Sequence, residues 1–238
     1  MRVDSRRITE HNHLMHILIG APSNLSQSAT VSVVQPKQPD SYGGLLVRPT
    51  ISHREEHACH ELVRRMYAWR GYLTEPASPH LSRDRLTLAA WRDGELAATL
   101  TLARDNGSNL MAEALYPAEI AELRSKERII CEYSRLAIDP VTSSTQLMEQ
   151  FFRMAYELAK SHFLAKDAIV EINPRHRRFY EREIGFTQLG PLRVCPRVDA
   201  PALLLYRDME QPHKARLRAS HGHLQLPDLP IARHPITP

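Results

Sequence analysis

Cysteine is scarce in this sequence of 238 residues, and none of its three cysteines stands in the CxxC spacing of a metal or redox motif. Cys59, Cys131 and Cys195 form an odd and widely separated set, which argues against a disulfide framework and against a structural zinc site. Free thiols are typical of a reducing compartment. We therefore expect the protein to be cytoplasmic.

Long apolar runs are also lacking. No run approaches the roughly 20 residues that a membrane-spanning helix needs. The run at residues 14–21, "LMHILIGA", is short, contains a histidine and lacks the layout of a signal peptide. We expect no membrane span.

An excess of one charge sign is absent from the middle of the chain. The formal net charge is +4, which on its own suggests nucleic acid as a partner. Residues 1–43 carry a net charge of +1 and residues 211–238 a net charge of +3, so the residues between them are formally neutral. A nucleic-acid-binding domain is expected to show a basic patch in its folded part. We therefore expect no nucleic-acid partner.

Both ends of the chain lack a helical or strand period. Residues 1–43 are rich in Ser, Gln and Pro, and residues 211–238 are rich in Pro and His. Such compositions are typical of disordered segments, so we predict a disordered leader and a disordered tail around one domain at residues 44–210. The histidines of the tail are irregularly spaced, which favours a solvated tail over a metal site.

Residues 44–210 alternate between strand-like and helix-like patterns. Two β-like runs flank Asp93-Gly94, a dipeptide that favours a tight hairpin. A long amphipathic helix is predicted after residue 142, with Ser143 and Gln146 in the positions of a capping box. The element order βαββαβαβαββ predicts an α/β (α+β) fold, in which a mixed sheet of six to seven strands is flanked by helices on both faces.

The most specific motif is "VEINPRHRRFYEREIGF" at residues 170–186. Asn173 can cap a helix, Pro174 suits its first turn, and Gly185 permits a left-handed exit. The segment resembles the second cofactor-side motif of the GNAT acyltransferase superfamily, in which a strand ends in Asn and a helix carries an aromatic pair before Gly-Phe. The order of the elements resembles that superfamily as well, which implies a GNAT-like fold.

Tyr180 ends the aromatic pair of this motif. The resemblance implies that its side chain lies near the sulfur of an acyl thioester and protonates the departing thiolate. That role requires the hydroxyl to lie within hydrogen-bond reach of the sulfur. The alternative is that Tyr180 is an ordinary aromatic residue of the core.

The turn "PVTSSTQ" at residues 140–146 has no glycine, whereas typical acetyl-CoA-dependent members of the superfamily carry a glycine-rich turn around the pyrophosphate. Ser143, Ser144 and Thr145 could hold one phosphate through hydroxyls and backbone N–H groups, or they could serve only as helix caps. One phosphate suggests the phosphopantetheine arm of an acyl carrier protein. Asn173 and His176 complete the predicted binding set for this arm.

The strand-like stretch "CEYSRLAIDP" at residues 131–140 contains two charged residues, Glu132 and Arg135. It resembles both the acyl-homoserine-lactone synthases and the bacterial long-chain N-acyl amino acid synthases, in which a Glu is followed by one residue, Ser-Arg and an apolar strand end. The flanking segments are more similar in order and spacing to the amino acid synthases.

This resemblance implies an N-acyltransferase that moves a long-chain acyl group from an acyl carrier protein or CoA thioester to the amine of an amino acid, giving an N-acyl amino acid. The thioester is then a co-substrate, an acyl carrier protein is a partner, and we expect no tightly bound cofactor. The alternatives are an acyl-homoserine-lactone synthase, an acetyl-CoA-dependent N-acetyltransferase, and a non-catalytic module that binds acyl carrier protein or acyl-CoA.

Glu132 is the candidate base that takes the amine proton, directly or through a water. Arg135 could bind the carboxylate of the acceptor, or it could hold Glu132 in place. The resemblance adds Ser134, Asp84 and Arg104 to the substrate-binding set. The residues available for an apolar acyl slot are Phe151, Phe152 and Met154.

Three histidines, His53, His57 and His60, recur on one predicted helical face, a spacing that could hold a metal. No carboxylate or cysteine partner is identifiable from the sequence. An exposed helix face is therefore the preferred interpretation, and we expect no metal.

The two charges of "CEYSRLAIDP" also make a structural prediction. Strict alternation along a strand places Glu132 and Ser134 on one face and Arg135 on the other. Both charges can face one cleft only if the strand bulges between them, as strands near active sites often do. We therefore predict an irregularity at residues 133–135, with Glu132 facing the acyl-transfer cleft.

Overall fold

A computed structural model of the protein describes residues 44–72 and 83–211. The predicted leader, and the predicted tail beyond residue 211, lie outside these described residues, so both remain predictions. The described residues form one sheet with helices on both of its faces. The predicted α/β fold is confirmed.

The sheet of the described residues has eight strands in the order β1-β2-β3-β4-β5-β8-β6, with β7 paired to β8. Among the strand pairs of the described residues, β4 and β5 run parallel to each other and the others are antiparallel. The strands are β1 Leu45–Pro49, β2 Arg85–Arg92, β3 Glu95–Arg104, β4 Ile130–Ile138, β5 Asp167–Ile172, β6 Thr187–Gln188, β7 Arg193–Cys195 and β8 Ala200–Asp208.

One strand more is present than the six to seven that the sequence predicts. The additional strand arises because Gly190 and Pro191 divide the stretch "FTQLGPLRV" at residues 186–194 into β6 and β7. Proline has no backbone N–H to give to a neighbouring strand, so pairing stops at this point and resumes two residues later.

The helices lie between these strands. The helices are α1 His53–Trp69, a 3₁₀ turn Met111–Ala114, α2 Pro117–Arg124, and α3 Thr145–Glu157 with a π-helical continuation Leu158–His162. The last helical segment, residues 174–184, begins as a 3₁₀ turn Pro174–His176, continues as α4 Arg177–Phe179 and ends as a π turn Tyr180–Ile184.

Local signals account for several of these boundaries. Asp93 and Gly94 both have positive φ, 52° and 85°, as the predicted tight hairpin requires. Asn173 accepts a hydrogen bond from the Arg175 N–H at 3.2 Å, and Gly185 ends the segment with φ of 86°. The predicted hairpin and both predicted ends of the last helical segment are confirmed.

The predicted capping box of α3 is wrong by one residue. The turn after β4 extends further than expected, because the side chain of Asp139 accepts the Val141 N–H at 2.9 Å. Ser144 therefore caps the helix, and its hydroxyl oxygen accepts the Leu147 N–H at 3.1 Å. Ser143 precedes the cap.

Both faces of the sheet are covered. On one face, α3 and the last helical segment pack on the central strands, with residues such as Leu100, Phe151 and Leu205 almost completely buried. On the other face, α1 and α2 cover the sheet, and Tyr116 and Ile169 belong to the buried cluster beneath α2. Each such side chain contributes roughly 1.5–3 kcal/mol on burial, which fixes the sheet between two helical layers.

Tyr116 requires a glycine opposite it. A Cβ atom placed on Gly190 would lie 2.6 Å from two carbon atoms of the Tyr116 ring and 3.0 Å from the Leu204 Cβ. The Tyr116 hydroxyl donates toward the carbonyl oxygens of Pro191 and Ala202, at 3.1 and 2.9 Å. The ring is therefore held against the backbone and has no room to move.

Candidate active site

A gap opens between the two parallel strands. β4 pairs with β5 only from Ile130–Asp167 to Tyr133–Val170. Beyond these pairs, β4 stays with β3 as far as Ile138, while β5 stays with β8. The two strands therefore diverge, and a cavity of about 150 Å³ lies between their carboxyl ends.

Besides Leu100 of β3, three described parts of the chain line this cavity. β4 contributes residues 133–138, and β5 with the segment after it contributes residues 170–173, His176 and Tyr180. The end of α1 crosses the gap, with Met66, Tyr67, Trp69 and Arg70 in the wall together with Tyr72. The cavity is thus bounded by two strands that diverge and a helix that bridges them.

β4 has a bulge at this point. Thr99 of β3 pairs with Ala137 and Thr101 pairs with Ser134, so two residues of β4, Arg135 and Leu136, lie opposite one residue of β3. Arg135 has φ of 53°, a conformation that costs a residue other than glycine roughly 1–2 kcal/mol. The predicted irregularity is confirmed, and it brings Ser134 and Arg135 into the same cavity wall.

Arg135 is a half-buried cation without a bonding partner. It makes no hydrogen bond or ion pair with any other residue in the described ranges. Burial, and next the charge of Arg85, lower the pKa of its guanidinium. Because a buried unpaired charge is costly, this arrangement favours an anionic ligand in the cavity.

Tyr180 lies in the cavity wall and is 3% exposed. Burial raises the pKa of its hydroxyl well above the ordinary value, so the hydroxyl keeps its proton at neutral pH and remains able to donate it. Phe152 and Phe186 hold the ring edge-on, with ring centroids 6.1 and 5.8 Å away.

His176 and Asn173 share this wall. Burial and the nearby charges of Arg175 and Arg70 lower the pKa of His176 to about 4, so the imidazole is neutral at pH 7. Its Nδ1 atom is buried and has no hydrogen-bond partner among the described residues. Asn173 donates from Nδ2 to the Tyr72 hydroxyl at 3.1 Å.

Glu132 does not face the cavity, and this part of the sequence prediction is wrong. Its carboxylate accepts the N–H groups of Met111 and Ala112 at 2.7 and 2.8 Å, because the first N–H groups of the 3₁₀ turn have no partner within the turn. The residue is 1% exposed, and burial raises its pKa to about 7. Its predicted role as the base remains untested.

A second acid, Glu171 on β5, lines the cavity where Glu132 does not. Arg197 donates from Nη2 to Glu171 Oε2 at 2.7 Å and from Nη1 to the Met111 carbonyl at 2.9 Å. Sequence reasoning did not single out Glu171. The sequence does contain a signal for Glu171, because this residue is a charge within the buried strand "DAIVEIN", as Glu132 is within "CEYSRLAID".

Asp84 and Arg104 do not line the cavity, and their predicted place in the substrate site stays a prediction. They pair with each other, with 3.6 Å between Arg104 Nη1 and Asp84 Oδ1. Arg104 lies opposite Cys131, at the start of β4, whereas Thr101 lies opposite Ser134. Three residues along a strand correspond to about 10 Å, which separates this ion pair from the gap.

The turn that was predicted to hold phosphate follows the end of β4. Its Ser144 hydroxyl accepts a hydrogen bond from Arg92 Nη2 at 2.6 Å, and Thr145 begins α3. The three predicted residues, Ser143 to Thr145, do not line the cavity itself. Arg92, which sequence reasoning missed, adds a positive charge to the positive end of the helix dipole.

Two polar tethers hold the end of α1 over the gap. Arg65 Nη2 lies 2.7 Å from Asp139 Oδ2, just after β4. Tyr72 accepts hydrogen bonds from Asn173 and from Arg175 Nη2, at 3.1 and 2.6 Å, just after β5. α1 is therefore fastened to both diverging strands.

The residues proposed for an acyl slot are buried in the core, and none of them reaches the cavity. Phe151, Phe152 and Met154 are at most 4% exposed and lie on the buried face of α3. The apolar floor of the cavity is formed instead by Leu100, Tyr133 and Val170. The Tyr133 hydroxyl donates to the Ala155 carbonyl at 3.2 Å, which fixes the ring of Tyr133 at this floor.

Metal binding and cysteine chemistry find little support in the described part of the chain. No group of three or more His, Cys, Asp or Glu side chains there could hold a metal ion. Cys59, Cys131 and Cys195 are buried and unpaired, and burial raises the pKa of each thiol. Within residues 44–72 and 83–211 no helix is long and apolar enough to cross a membrane.

Comparison with known families agrees with this geometry. The model of the family "N-acyl amino acid synthase FeeM" matches residues 58–208. The chain belongs to this family. It is therefore an N-acyltransferase that uses an acyl thioester as co-substrate, as the resemblance of the motifs implied.

Solved structures show the same fold. FeeM, an N-acyl amino acid synthase from uncultured soil microbes, is 22% identical with a TM-score of 0.64, covering 71% of this chain and 93% of that chain. The AHL synthase LasI is 15% identical with a TM-score of 0.54, over 71% and 91%. An acetyltransferase of the GNAT family from Streptococcus pneumoniae is 13% identical with a TM-score of 0.50, over 69% and 99%. No curated protein sequence matches the chain.

Proposed function

We propose that this N-acyltransferase transfers a long acyl chain from a phosphopantetheine thioester to the amine of an amino acid, giving an N-acyl amino acid. The observation that carries the proposal is the guanidinium of Arg135, which lies in the wall of the cavity between β4 and β5 and has no bonding partner among residues 44–72 and 83–211. An acyl acceptor with a carboxylate would satisfy this cation, whereas an amine without a carboxylate would leave it unpaired.

The gap between β4 and β5 suits the phosphopantetheine arm of the acyl donor. A phosphopantetheine arm is a chain with amide groups, and the strand edges on each side of a gap carry N–H and C=O groups that can pair with such amides. The arm would enter at the carboxyl ends of β4 and β5, where α3 begins with the Ser144 cap and Arg92. A hydroxyl, a guanidinium and a helix N-terminus together suit a single phosphate.

The surface beside the gap favours an acyl carrier protein over CoA as the donor. The residues after Asn173 expose several guanidinium groups: Arg175, Arg177, Arg178 and Arg182 are all exposed. This row of positive charges suits an acidic carrier protein, since complementary charge guides association. The turn before α3 has no glycine, which also suits one phosphate better than a pyrophosphate.

The acceptor would bind through Arg135. A guanidinium can bind a carboxylate through two parallel hydrogen bonds, and the bulge in β4 brings Arg135 into the cavity wall. The amine of the same amino acid is then held at a short distance from the carboxylate, beside the thioester. Positioning of this kind supplies much of the rate enhancement of an acyl transfer.

The chemistry is a direct transfer. The neutral amine attacks the thioester carbon, the C–N bond forms, and the C–S bond breaks as the thiolate departs. Tyr180 keeps its proton at neutral pH and gives it to the thiolate. Glu132 has a pKa of about 7, which suits a base, but it lies behind the cavity wall and could act on the amine only through an intervening group.

The test is to incubate the full-length protein with palmitoyl-carrier protein, palmitoyl-CoA or acetyl-CoA and with the twenty standard amino acids, and to identify the products by mass spectrometry. We expect N-palmitoyl amino acids, formed faster from the carrier protein. Acetylated amines from acetyl-CoA alone would instead indicate an N-acetyltransferase, and acyl-homoserine lactones would indicate a lactone synthase.

A matched pair of variants tests the role of Arg135. Since a hydrogen bond to a charged group is worth about 1.5–3 kcal/mol, Arg135→Gln should raise the KM for the amino acid about 10- to 100-fold and leave the KM for the donor unchanged. Arg64→Gln, on the exposed side of α1 and away from both the cavity and the arginine row, is the control for the lost charge. An unchanged KM for the amino acid in Arg135→Gln would contradict the assignment.

The compartment follows from the same chemistry. Carrier-protein thioesters are made in the cytoplasm, and the three cysteines are unpaired. Both points support a cytoplasmic enzyme.

A further inference from the structure

The transfer needs a group that takes a proton from the amine. The amine of an amino acid is largely protonated at neutral pH, and a protonated amine has no lone pair with which to attack. The proton acceptor must lie within hydrogen-bond reach of that nitrogen, about 2.6–3.2 Å or one water away. A candidate must therefore stand in the wall of the cavity in which the amine and the thioester meet.

Glu171 is the one carboxylate among the described residues of that wall. The one imidazole of the same wall is His176, whose pKa of about 4 makes it a poor base near neutral pH. Glu132 is 1% exposed, and its two oxygens accept backbone N–H groups. Position therefore separates Glu171 from the other titratable candidates.

The sheet places Glu171 opposite the acceptor-binding cation. Glu171 follows Ile169, the partner of Glu132, by two residues on β5, so it shares the sheet face of Glu132 and Ser134. Arg135 lies on β4 at the other side of the gap. A cation on one wall and a carboxylate on the other match an amino acid, whose own carboxylate and ammonium carry the opposite charges.

Glu171 is also held in a fixed orientation. Arg197 binds its Oε2 atom at 2.7 Å and is itself fixed by the Met111 carbonyl at 2.9 Å. The N–H of the same Met111 is bound by Glu132 at 2.7 Å. The backbone of Met111 thus connects the two acids, since its N–H is bound by Glu132 and its carbonyl by Arg197, which binds Glu171. Through these contacts Glu132 positions Glu171.

We propose that Glu171 binds the ammonium group of the acceptor and takes its proton, with Arg197 and Glu132 as positioning residues. This inference rests on the proposed transfer to an amino acid. One proton passes from the ammonium nitrogen to the Glu171 carboxylate, and the freed lone pair forms the C–N bond. As the C–S bond breaks, Tyr180 protonates the thiolate and regains a proton from the acyl-bound nitrogen. Glu171 then releases its proton to solvent, so one proton leaves in each turnover.

The experiment compares wild type, Glu171→Gln, Glu132→Gln and Glu122→Gln in the full-length protein. Glu122 is an exposed residue of α2 that pairs with Lys126, so its variant controls for the loss of one negative charge. Thiol release from palmitoyl-carrier protein is followed between pH 6 and pH 10 with the mixture of twenty amino acids, and the products are checked by mass spectrometry. Thermal unfolding of each variant reports on the fold.

We expect kcat/KM of Glu171→Gln to fall at least 100-fold at pH 7, within the range for loss of a general base. The deficit should shrink toward pH 10, because free amines there have lost their proton without help. Glu132→Gln should lose less activity than Glu171→Gln. A merely structural role of Glu171 would lower the rate by the same factor at every pH, which would overturn the inference.

Two further outcomes separate the claims. An active wild type whose Glu171→Gln variant keeps its activity, or a pH-dependent deficit found only in Glu132→Gln, would overturn this inference and leave the proposed function in place. A wild type that forms no N-acyl amino acid would overturn the proposed function, and this inference with it.

Discussion

The buried carboxyl of Glu132 makes a quantitative prediction about stability and pH. Two effects oppose each other at this group. Burial disfavours the charged form, whereas the hydrogen bonds from the Met111 and Ala112 N–H groups favour it. Burial is the larger effect, and it raises the pKa of Glu132 from 4.5 to about 7.

The sign of the pH dependence follows. Between pH 4.5 and pH 7 the folded state holds a proton on Glu132 that the unfolded state has lost, so the free energy of unfolding falls as the pH rises. Each pH unit in this range changes it by about 1.4 kcal/mol. Glu132 alone should therefore make the protein about 3 kcal/mol less stable above pH 7 than below pH 4.5.

Urea unfolding of wild type and Glu132→Gln between pH 4.5 and pH 8 isolates this contribution, since all other groups titrate in both proteins. The glutamine presents an N–H group to one of the two backbone donors, which should cost about 1–3 kcal/mol, so the wild type should be the more stable protein at pH 4.5. We expect that advantage to shrink by about 2–3 kcal/mol by pH 8. Glu122→Gln, at the surface, is the control for the loss of one carboxyl group.

Two results would refute this reasoning. A stability difference that does not vary with pH would mean that Glu132 does not titrate between the two limits. A wild-type advantage that grows with pH would mean that the two backbone N–H groups outweigh burial and lower the pKa of the carboxyl. The second result would also remove the basicity that makes Glu132 suitable as a proton acceptor.

Three more substitutions test other parts of the structure. Gly190→Ala should destabilise the fold by about 1–3 kcal/mol in urea unfolding, since the new methyl group overlaps the Tyr116 ring; an unchanged midpoint would show that the ring can move. Ser144→Ala removes a helix cap worth about 1 kcal/mol. The KM for the thioester should rise, whereas the KM for the amino acid should not. An equal rise of the two KM values would indicate a purely structural role of Ser144. Tyr180→Phe should lower kcat about 100-fold with little change in KM, measured by thiol release, and an unchanged kcat would exclude Tyr180 as the acid.

Features that depend on a few neighbouring residues could be predicted from the sequence. The hairpin at Asp93-Gly94 and the helix between Asn173 and Gly185 follow from backbone conformations that few residue types adopt. The bulge in β4 was predicted on the premise that Glu132 and Arg135 face one cleft. The bulge is present, but of these two residues only Arg135 lines the cavity.

Features that depend on distant backbone could not be predicted. The partners of Glu132 are N–H groups some 20 residues earlier in the chain, and no side-chain pattern marks them. Asp84 and Arg104 were assigned by family resemblance alone, and they pair with each other at the far end of the hairpin. Glu171 could have been found, because the burial argument that drew attention to Glu132 applies equally to it.

Because β4 and β5 diverge, only a short stretch of backbone pairing joins the two halves of the sheet. Each half of the sheet, β1–β4 and β5–β8, is held by its own antiparallel pairs, and the ladder between the halves runs only from Ile130–Asp167 to Tyr133–Val170. A small rotation about this short seam would widen the cavity without breaking an antiparallel hydrogen bond. The polar tethers from α1 would resist such a rotation, since they join the ends of both halves. Contacts of α1 with both strands thus supplement the short backbone ladder in holding β4 and β5 at their present separation.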